Sequence, residues 1–231
     1  MDGIESYLNQ YPPISNMMEK NQIYGVIYHL EEILKNNIEG DVVELGCNVG
    51  TTSIYIRRWL DMYRSSKTFH VYDSWLGLPA KLPQDAALGP RQFLAGACRT
   101  SKESFIHQFR TRGLAVPEIH SGWFKNIPDG EYPDEICFAF LDGDFYSSIM
   151  DSLNKVYHKM TTGGIIIIDD CGWAALPGCK RAVEDFLDDK EETLELTGYP
   201  DQKYVFGEEH CGGRIVKLGS SRGDPIAGMS L

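Results

Sequence analysis

Short, nearly continuous apolar runs alternate along this chain with segments whose apolar residues recur every three or four positions. The runs are typical of strands buried on both faces, and the periodic segments are typical of helices that cover a sheet. We predict five such strands, which stop at Gly46, Asp73, Gly122, Asp142 and Asp169. Strand and helix alternating five times predict an α/β fold with a doubly wound, mostly parallel sheet.

The regions around these units have weaker patterns. Helical spacing over residues 16–37 predicts a helix that covers one face of the sheet, or the ligand pocket, ahead of the first strand. We expect residues 1–15 to be an irregular N-terminal arm, and Gly163–Gly164 to turn the chain into the most apolar strand. The pattern over residues 193–218 predicts two or three strands that form an antiparallel edge of the sheet. We expect residues 219–231 to form a loose tail.

Residues 80–99 show neither the continuous apolar run of a buried strand nor the three- or four-residue spacing of a helix. They nevertheless lie between two well-marked elements. A capping-box pattern at Thr100–Glu103 then begins another helix. Loops of about 20 residues inside a compact domain are usually either functional or disordered. We therefore expect residues 80–99 to act as a lid over a cofactor and an acceptor.

Composition narrows the class of protein. A chain of 231 residues, 42% hydrophobic and 24% charged, is typical of one globular domain, so we predict a single domain over 1–231. The net charge of −11 argues against nucleic acid as a partner. We find no signal-peptide layout, no apolar run of membrane-spanning length and no C-x-x-C pair. These features predict a reduced, cytoplasmic protein that does not bind membranes.

The first strand ends in a glycine turn. The run breaks at Gly46, a second glycine follows at Gly50, and Thr51 opens a helix. A strand, a glycine turn and a helix N-terminus together form a nucleotide cradle, because glycine lets a ligand approach the backbone and free N–H groups face it. The spacing Glu44-x-Gly46-x-x-x-Gly50 differs from the G-x-G-x-x-G of dinucleotide binders. It resembles the first motif of Rossmann-like, class I methyltransferases, which use S-adenosylmethionine (SAM).

The second strand ends in an acid, Asp73, which follows Gly46 by 27 positions. A carboxylate there is placed to accept hydrogen bonds from both ribose hydroxyls of a nucleotide, whereas the alternative is that Asp73 only caps a turn. We expect the adenine to lie near Ser121 and Trp123. The full set of predicted cofactor contacts is Glu44, Gly46, Asn48, Gly50, Thr51, Asp73, Ser74, Ser121, Gly122, Trp123 and Asp142.

Acidic residues also follow two later strands, as Asp142-Gly-Asp144 and as Asp169-Asp170. These strands should be neighbours, so their four carboxylates converge on one edge of the sheet. Like charges packed together raise one another's pKa and cost stability, and a hard divalent cation with oxygen ligands, such as Mg²⁺, removes that conflict. The alternative is that all four are solvated turn residues.

Six ordered motifs resemble those of the macrocin O-methyltransferase (TylF-like) family. They are Asp41–Gly50, Tyr72–Pro79, Ser121–Pro128, Phe140–Tyr146, Ile168–Asp170 and Pro177–Val183. The resemblance implies methylation of sugar hydroxyls in antibiotic glycosides with SAM and Mg²⁺. It also implies that Asp142, Asp169 and Asp170 bind the metal and that Asp144 is the general base. His70, His120 and His158 are alternative bases.

Two other functions stay open at this point. One is a catechol- or phenol-type O-methyltransferase with the same metal arrangement, although Asp144 favours a sugar because an activated phenol needs less of a base. The other is a non-catalytic nucleotide-binding partner in a glycan-building complex, although Asp142 and Asp144 are both present. We expect a small-molecule or glycan acceptor with free hydroxyls, and a homo-oligomer is compatible with the sequence.

Overall fold

The computed structural model describes residues 3–86, 93–198 and 211–219. Its strands are β1 (Asp41–Leu45), β2 (Phe69–Asp73), β3 (Glu118–Ser121), β4 (Ile136–Leu141), β5 (Met160–Ile168), β6 (Glu195–Gly198) and β7 (Cys211–Val216). Its α-helices are α1 (Gly3–Gln10), α2 (Lys20–Lys35), α3 (Thr51–Met62), α4 (Lys102–Arg110), α5 (Tyr146–Val156) and α6 (Pro177–Leu187).

The strands of the described residues form one sheet in the order β3-β2-β1-β4-β5-β7-β6. Strands β1 to β5 are parallel, and β7 pairs antiparallel with both β5 and β6. The predicted Rossmann-like fold with an antiparallel C-terminal edge is therefore confirmed. The chain reverses its direction of travel across the sheet between β1 and β4, which is where ligands bind in open α/β sheets.

Apolar side chains fill both faces of the sheet. Neighbouring residues of a strand point to opposite faces, so Val42 packs with the helices α1, α2 and α3, whereas Val43 packs with α5 and α6. Strand β4 is buried at all six positions. Covering of both faces explains why the parallel strands have continuous apolar runs instead of alternating patterns.

The N-terminal region differs from the irregular arm that we expected, because Gly3–Gln10 form helix α1. Ile4, Tyr7 and Leu8 are buried at helical spacing. The Tyr7 ring lies 4.8 Å from that of Trp59 in α3, and its hydroxyl donates to the Tyr55 carbonyl at 3.0 Å. Three apolar positions are too few for a clear sequence signal, so packing on α3 decides this helix.

Two boundaries also differ from the prediction. Gly163 and Gly164, expected in a turn, lie inside β5, where Gly163 N–H donates to the Lys217 carbonyl at 2.8 Å. The register with β4 shifts there and Gly163 has a φ of 80°, as in a β-bulge. The helix predicted from residue 16 begins at Lys20. Helix α4 is capped by Ser101, whose hydroxyl accepts from Ser104 N–H.

Several expectations fall partly outside the described residues. The proposed lid includes 87–92, the expected edge includes 199–210, and the expected tail includes 220–231. Within the ranges that the structure does describe, no helix is both long enough and apolar enough to cross a bilayer.

Candidate active site

A cavity of about 660 Å³ opens at the carboxyl ends of β1 to β5. This volume is in the usual range for a small-molecule or cofactor site. Each of the five parallel strands contributes residues that follow its last position, and the segment before α2 closes one side with Asn16 and Met17. The strand ends singled out in the sequence therefore meet around one cavity.

Gly46 brings the turn after β1 close to the end of β4. It has a φ of 93°, and a β-carbon added there would lie 1.9 Å from the Asp142 carbonyl oxygen. Only glycine fits this approach without displacing the backbone. Gly46 and Asn48, two of the predicted cofactor contacts, line the cavity.

Asp73 ties the same turn to the end of β2. Its Oδ2 accepts from the N–H groups of Cys47 at 3.0 Å and Asn48 at 2.9 Å, and its Oδ1 accepts from Trp75 N–H at 2.7 Å. A carboxylate has about four acceptor positions, so roughly one is left for a ligand. Asp73 lines the cavity, but as placed here it does not have two free positions for both ribose hydroxyls.

The segment after β3 forms the wall where we expected adenine. Gly122, Trp123 and Phe124 line the cavity, together with Ser74 from the segment after β2. Ser121 does not line it, and its hydroxyl accepts from Trp75 Nε1 at 2.9 Å. Ser121 therefore positions this wall from behind.

Three more of the predicted cofactor contacts lie behind the cavity surface. Glu44 is buried within β1, and burial raises its pKa to about 8. Gly50 is the N-cap of α3 and packs against Phe105, while the Thr51 hydroxyl lies 2.7 Å from that of Ser15. These residues shape the turn without lining the cavity.

The carboxylates after β4 and β5 converge. One oxygen from each of Asp142, Asp144 and Asp170 lies within 4.8 Å of the others, so the three could hold one metal ion. Asp144 and Asp170 have φ values of 60° and 54°. Non-glycine residues in the left-handed region are uncommon and tend to gather at functional sites.

Asp169 is placed differently from the other three acids. It lines the cavity, but both of its carboxylate oxygens accept from Gln22 Nε2, at 3.4 and 3.2 Å. The structure thus joins Asp144 to two of the predicted metal ligands, Asp142 and Asp170, and turns Asp169 toward helix α2.

The acids strongly affect one another's pKa. Burial, followed by the charges of Asp169 and Asp144, raises the pKa of Asp142 well above its usual range. Burial and then Asp169 likewise raise the pKa of Asp170, and they raise that of Asp144 to about 7. Such mutual destabilisation of the ionised forms is typical of carboxylates arranged to share a cation or a proton.

Two residues from the described parts of 80–99, Phe93 and Cys98, line this cavity. Asn48 Nδ2 donates to the Cys98 carbonyl at 2.6 Å, and the Phe93 ring meets Trp173 edge-on at 5.8 Å. Buried Asp85 accepts from Tyr146 N–H at 2.8 Å, which holds residues 83–85 against the start of α5. The lid role of residues 80–99 stays a prediction.

The three histidines lie away from the cavity. His70 Nδ1 is 3.2 Å from His120 Nε2, and His120 Nδ1 is 3.0 Å from Glu131. His158 lies in a short 3-10 turn after α5. None of these three is among the described residues that line the cavity.

Sequence reasoning did not single out Gln22, Phe93, Cys98 or Trp173, all of which line the cavity. Gln22 had a signal, because it lies four positions before Val26 on the apolar face of its helix. Phe93 and Cys98 have positive φ values, and nothing in the local sequence indicates these.

Comparisons with known proteins agree on the class. The model of the macrocin O-methyltransferase (TylF) family matches residues 9–204. Demethyldecarbamoylnovobiocin O-methyltransferase of Streptomyces niveus is 30% identical over 68% of this chain and 62% of its own length. Mycinamicin III 3''-O-methyltransferase of Micromonospora griseorubida is 28% identical over 77% of this chain and 72% of its own length. The chain thus spans less than two thirds of the novobiocin enzyme.

A solved structure gives the same result. The O-methyltransferase NovP superposes with a TM-score of 0.72 at 26% identity, over 88% of this chain and 82% of NovP. The predicted resemblance and fold are confirmed by these matches.

Proposed function

This chain belongs to the macrocin O-methyltransferase (TylF) family, and from that membership we propose that it transfers a methyl group from SAM to a hydroxyl of a sugar or glycoside with the help of a divalent cation. The observation that carries the proposal is the meeting of Asp142, Asp144 and Asp170 on a cavity that begins at the Gly46 turn. The curated relatives named above, which by their names methylate demethyldecarbamoylnovobiocin and mycinamicin III, support a glycoside acceptor.

The residues around Gly46 fit SAM. The close approach of Gly46 to Asp142 leaves no room for a side chain, and Asp73 holds the amides of Cys47 and Asn48 in one arrangement. The cavity volume of about 660 Å³ accommodates a nucleoside and a small acceptor together. Gly46, Asn48, Asp73, Ser74, Gly122 and Trp123 would hold the cofactor.

The acidic cluster fits a hard divalent cation. Its donors are all carboxylate oxygens, and Asp170 is only 6% exposed. Magnesium prefers oxygen ligands and usually keeps several positions for water or substrate, so a cation held by two of these carboxylates has room for an acceptor. Asp142 and Asp170 would be ligands, with Asp169 beside them.

The chemistry divides between bound groups and side chains. SAM supplies a methyl group activated by a sulfonium, and the cation supplies Lewis acidity that makes a hydroxyl easier to deprotonate. Asp144 lines the cavity and would accept the hydroxyl proton as the general base. The cavity walls orient the acceptor, which matters because methyl transfer requires in-line alignment.

Isotopically labelled SAM and a panel of glycosides test this function directly. Mass spectrometry should detect a labelled methyl group on a sugar oxygen when Mg²⁺ is present. A chelator should abolish the transfer, and added Mg²⁺ should restore it.

The panel should also contain catechols and phenols. Transfer to these alone would replace the sugar assignment with a phenol-type activity. SAM binding without transfer to any compound would favour a non-catalytic partner, and full activity in the presence of chelator would remove the metal from the proposal.

A further inference from the structure

Helix α2 places an amide side chain beside the acidic cluster. Gln22 is 5% exposed and lines the cavity next to Glu19. Its Nε2 lies 3.4 Å from Asp169 Oδ1 and 3.2 Å from Oδ2. Asp169 is 147 positions away in the chain, so the fold alone brings the two together. A buried hydrogen bond from an amide to an acid beside the cavity indicates that the amide has a function there.

The start of the helix sets the direction of this amide. Glu19 is the N-cap of α2, and its N–H donates to Gln22 Oε1 at 2.8 Å. The oxygen end of the amide is therefore engaged with a donor, and the NH₂ end must face the carboxylate. One side chain thus satisfies the helix N-terminus and directs an N–H bond, shared between the two carboxylate oxygens, at Asp169.

Asp169 lies directly beside the cluster. It precedes Asp170 in the chain and lines the same cavity as Asp142, Asp144 and Asp170. The direction of its carboxylate therefore affects the space and the charge that these acids offer to a cation. In metal sites, hydrogen bonds from outer residues fix the direction of the carboxylates, and their loss typically costs about 10- to 100-fold in metal affinity.

We propose that Gln22 is a positioning residue that fixes the Asp169 carboxylate at the edge of the divalent-cation site and so couples the start of helix α2 to that site. The inference rests on the proposed function, because it requires the acidic cluster to bind a cation. Gln22 itself does not touch the reacting atoms; it acts through Asp169.

Titration of the full chain with Mn²⁺ as the probe, followed by electron paramagnetic resonance without SAM or acceptor, tests the proposal. Gln22→Met keeps the length of the side chain and removes both polar atoms. It should weaken Mn²⁺ binding by about 10- to 100-fold. Gln10→Met, on the exposed face of α1, is the matched control and should bind Mn²⁺ like the wild type.

Asp169→Asn and the double variant Q22M/D169N complete a thermodynamic cycle. Because Gln22 acts through Asp169, the Mn²⁺ affinity of the double variant should equal that of whichever single variant binds Mn²⁺ more weakly. Losses that simply add would overturn the proposal. Gln22→Asn, one methylene shorter and unable to reach Asp169, serves as a second variant if Gln22→Met does not fold, and should also weaken binding.

A purely structural role has a different outcome. Gln22→Met would then lower the unfolding temperature of the metal-free chain while leaving Mn²⁺ affinity within about twofold of the wild type. That result would show that Gln22 does not position Asp169 for the cation, although the protein does bind one. Absence of Mn²⁺ binding by the wild type would instead remove the metal from the proposed function, and this inference with it.

Discussion

Gly46 and Asp142 lie so close together that a β-carbon on Gly46 would stand 1.9 Å from the Asp142 carbonyl oxygen. The contact joins the turn after β1 to the strand end that carries the first acid of the cluster. Asp142 N–H also donates to the Leu45 carbonyl at 2.9 Å, so the two strand ends are locked in register. The Gly46 turn and the acidic cluster are thereby held next to each other.

Gly46→Ala should damage both stability and cofactor binding. The added methyl group meets backbone, which cannot move aside, and the φ of 93° is strained for alanine. We expect a loss of about 3 kcal/mol or more in the free energy of unfolding. Chemical denaturation measures this, and calorimetry with S-adenosylhomocysteine should show strongly weakened binding.

Gly130→Ala is the matched control, since nothing lies within 4 Å of a β-carbon there. It should change stability by no more than about 0.5 kcal/mol. Equal behaviour of the two variants would contradict the role given to the Gly46 contact.

Asp73→Ala should weaken binding of SAM and S-adenosylhomocysteine at least about tenfold, since the turn loses the acceptor that orders three backbone amides. Isothermal calorimetry measures the change, with exposed Asp134→Ala as control. Tight binding of NAD by the wild type, without a response to SAM, would refute the cofactor assignment.

Asp144→Asn and Asp170→Asn separate a base from a ligand. If Asp144 is the base, its variant should bind Mg²⁺ and SAM nearly normally while turnover falls about 10²- to 10⁴-fold, and extra Mg²⁺ should not help. Asp170→Asn should weaken metal binding and recover partly at high Mg²⁺.

Rescue of Asp144→Asn by excess Mg²⁺ would make Asp144 a ligand instead. The structure makes this outcome a real alternative, because an Asp144 oxygen lies within 4.8 Å of those of Asp142 and Asp170. Kinetics over a range of metal concentrations distinguish the two.

The metal-free protein should lose stability as pH rises from about 4 to about 7. The pKa of Asp144 is about 7 in the folded chain, against 3.8 for an unperturbed group, so the folded state binds the extra proton in this range. Glu192 has the opposite shift, with its pKa lowered from 4.5 to about 2, and it affects stability mainly below this window.

Thermal unfolding across this pH range checks the sign. Asp144→Asn should flatten the profile, and Mg²⁺ should do the same, because a cation replaces the proton as the counter-charge. A wild-type stability that rises steadily from pH 4 to 7 would show that the carboxylates ionise without conflict.

Residues 93–99 should exchange their amide hydrogens more slowly when S-adenosylhomocysteine and an acceptor are both bound. Their contacts with Asn48 and Trp173 place them over the cavity. Hydrogen-exchange mass spectrometry gives the rate, with the exposed turn at 111–113 as internal reference. Equal exchange in the free and ternary states would remove the lid role.

The sequence by itself determined the order of the five parallel strands and the edge of the sheet at which the cavity lies. Apolar runs such as Val42–Leu45 identify strands locally, and parallel strands must bring their carboxyl ends to one side, so Gly46, Asp73 and Asp142 could be placed together beforehand. Family resemblance then indicated the chemistry, because five of the six motifs lie at the ends of the parallel strands and the sixth, Pro177–Val183, begins helix α6.

Only the tertiary structure decided which of the four acids meet, how many acceptor positions Asp73 keeps, and that Gln22 faces Asp169. It also showed that part of the expected N-terminal arm is helix α1, which packs on α3 through the contact of Tyr7 with Trp59. The physical reason is common to all of these. Each depends on the direction of a side chain toward a partner far away in the chain. Local spacing determines which face of an element a residue occupies, but not which distant residue its side chain contacts.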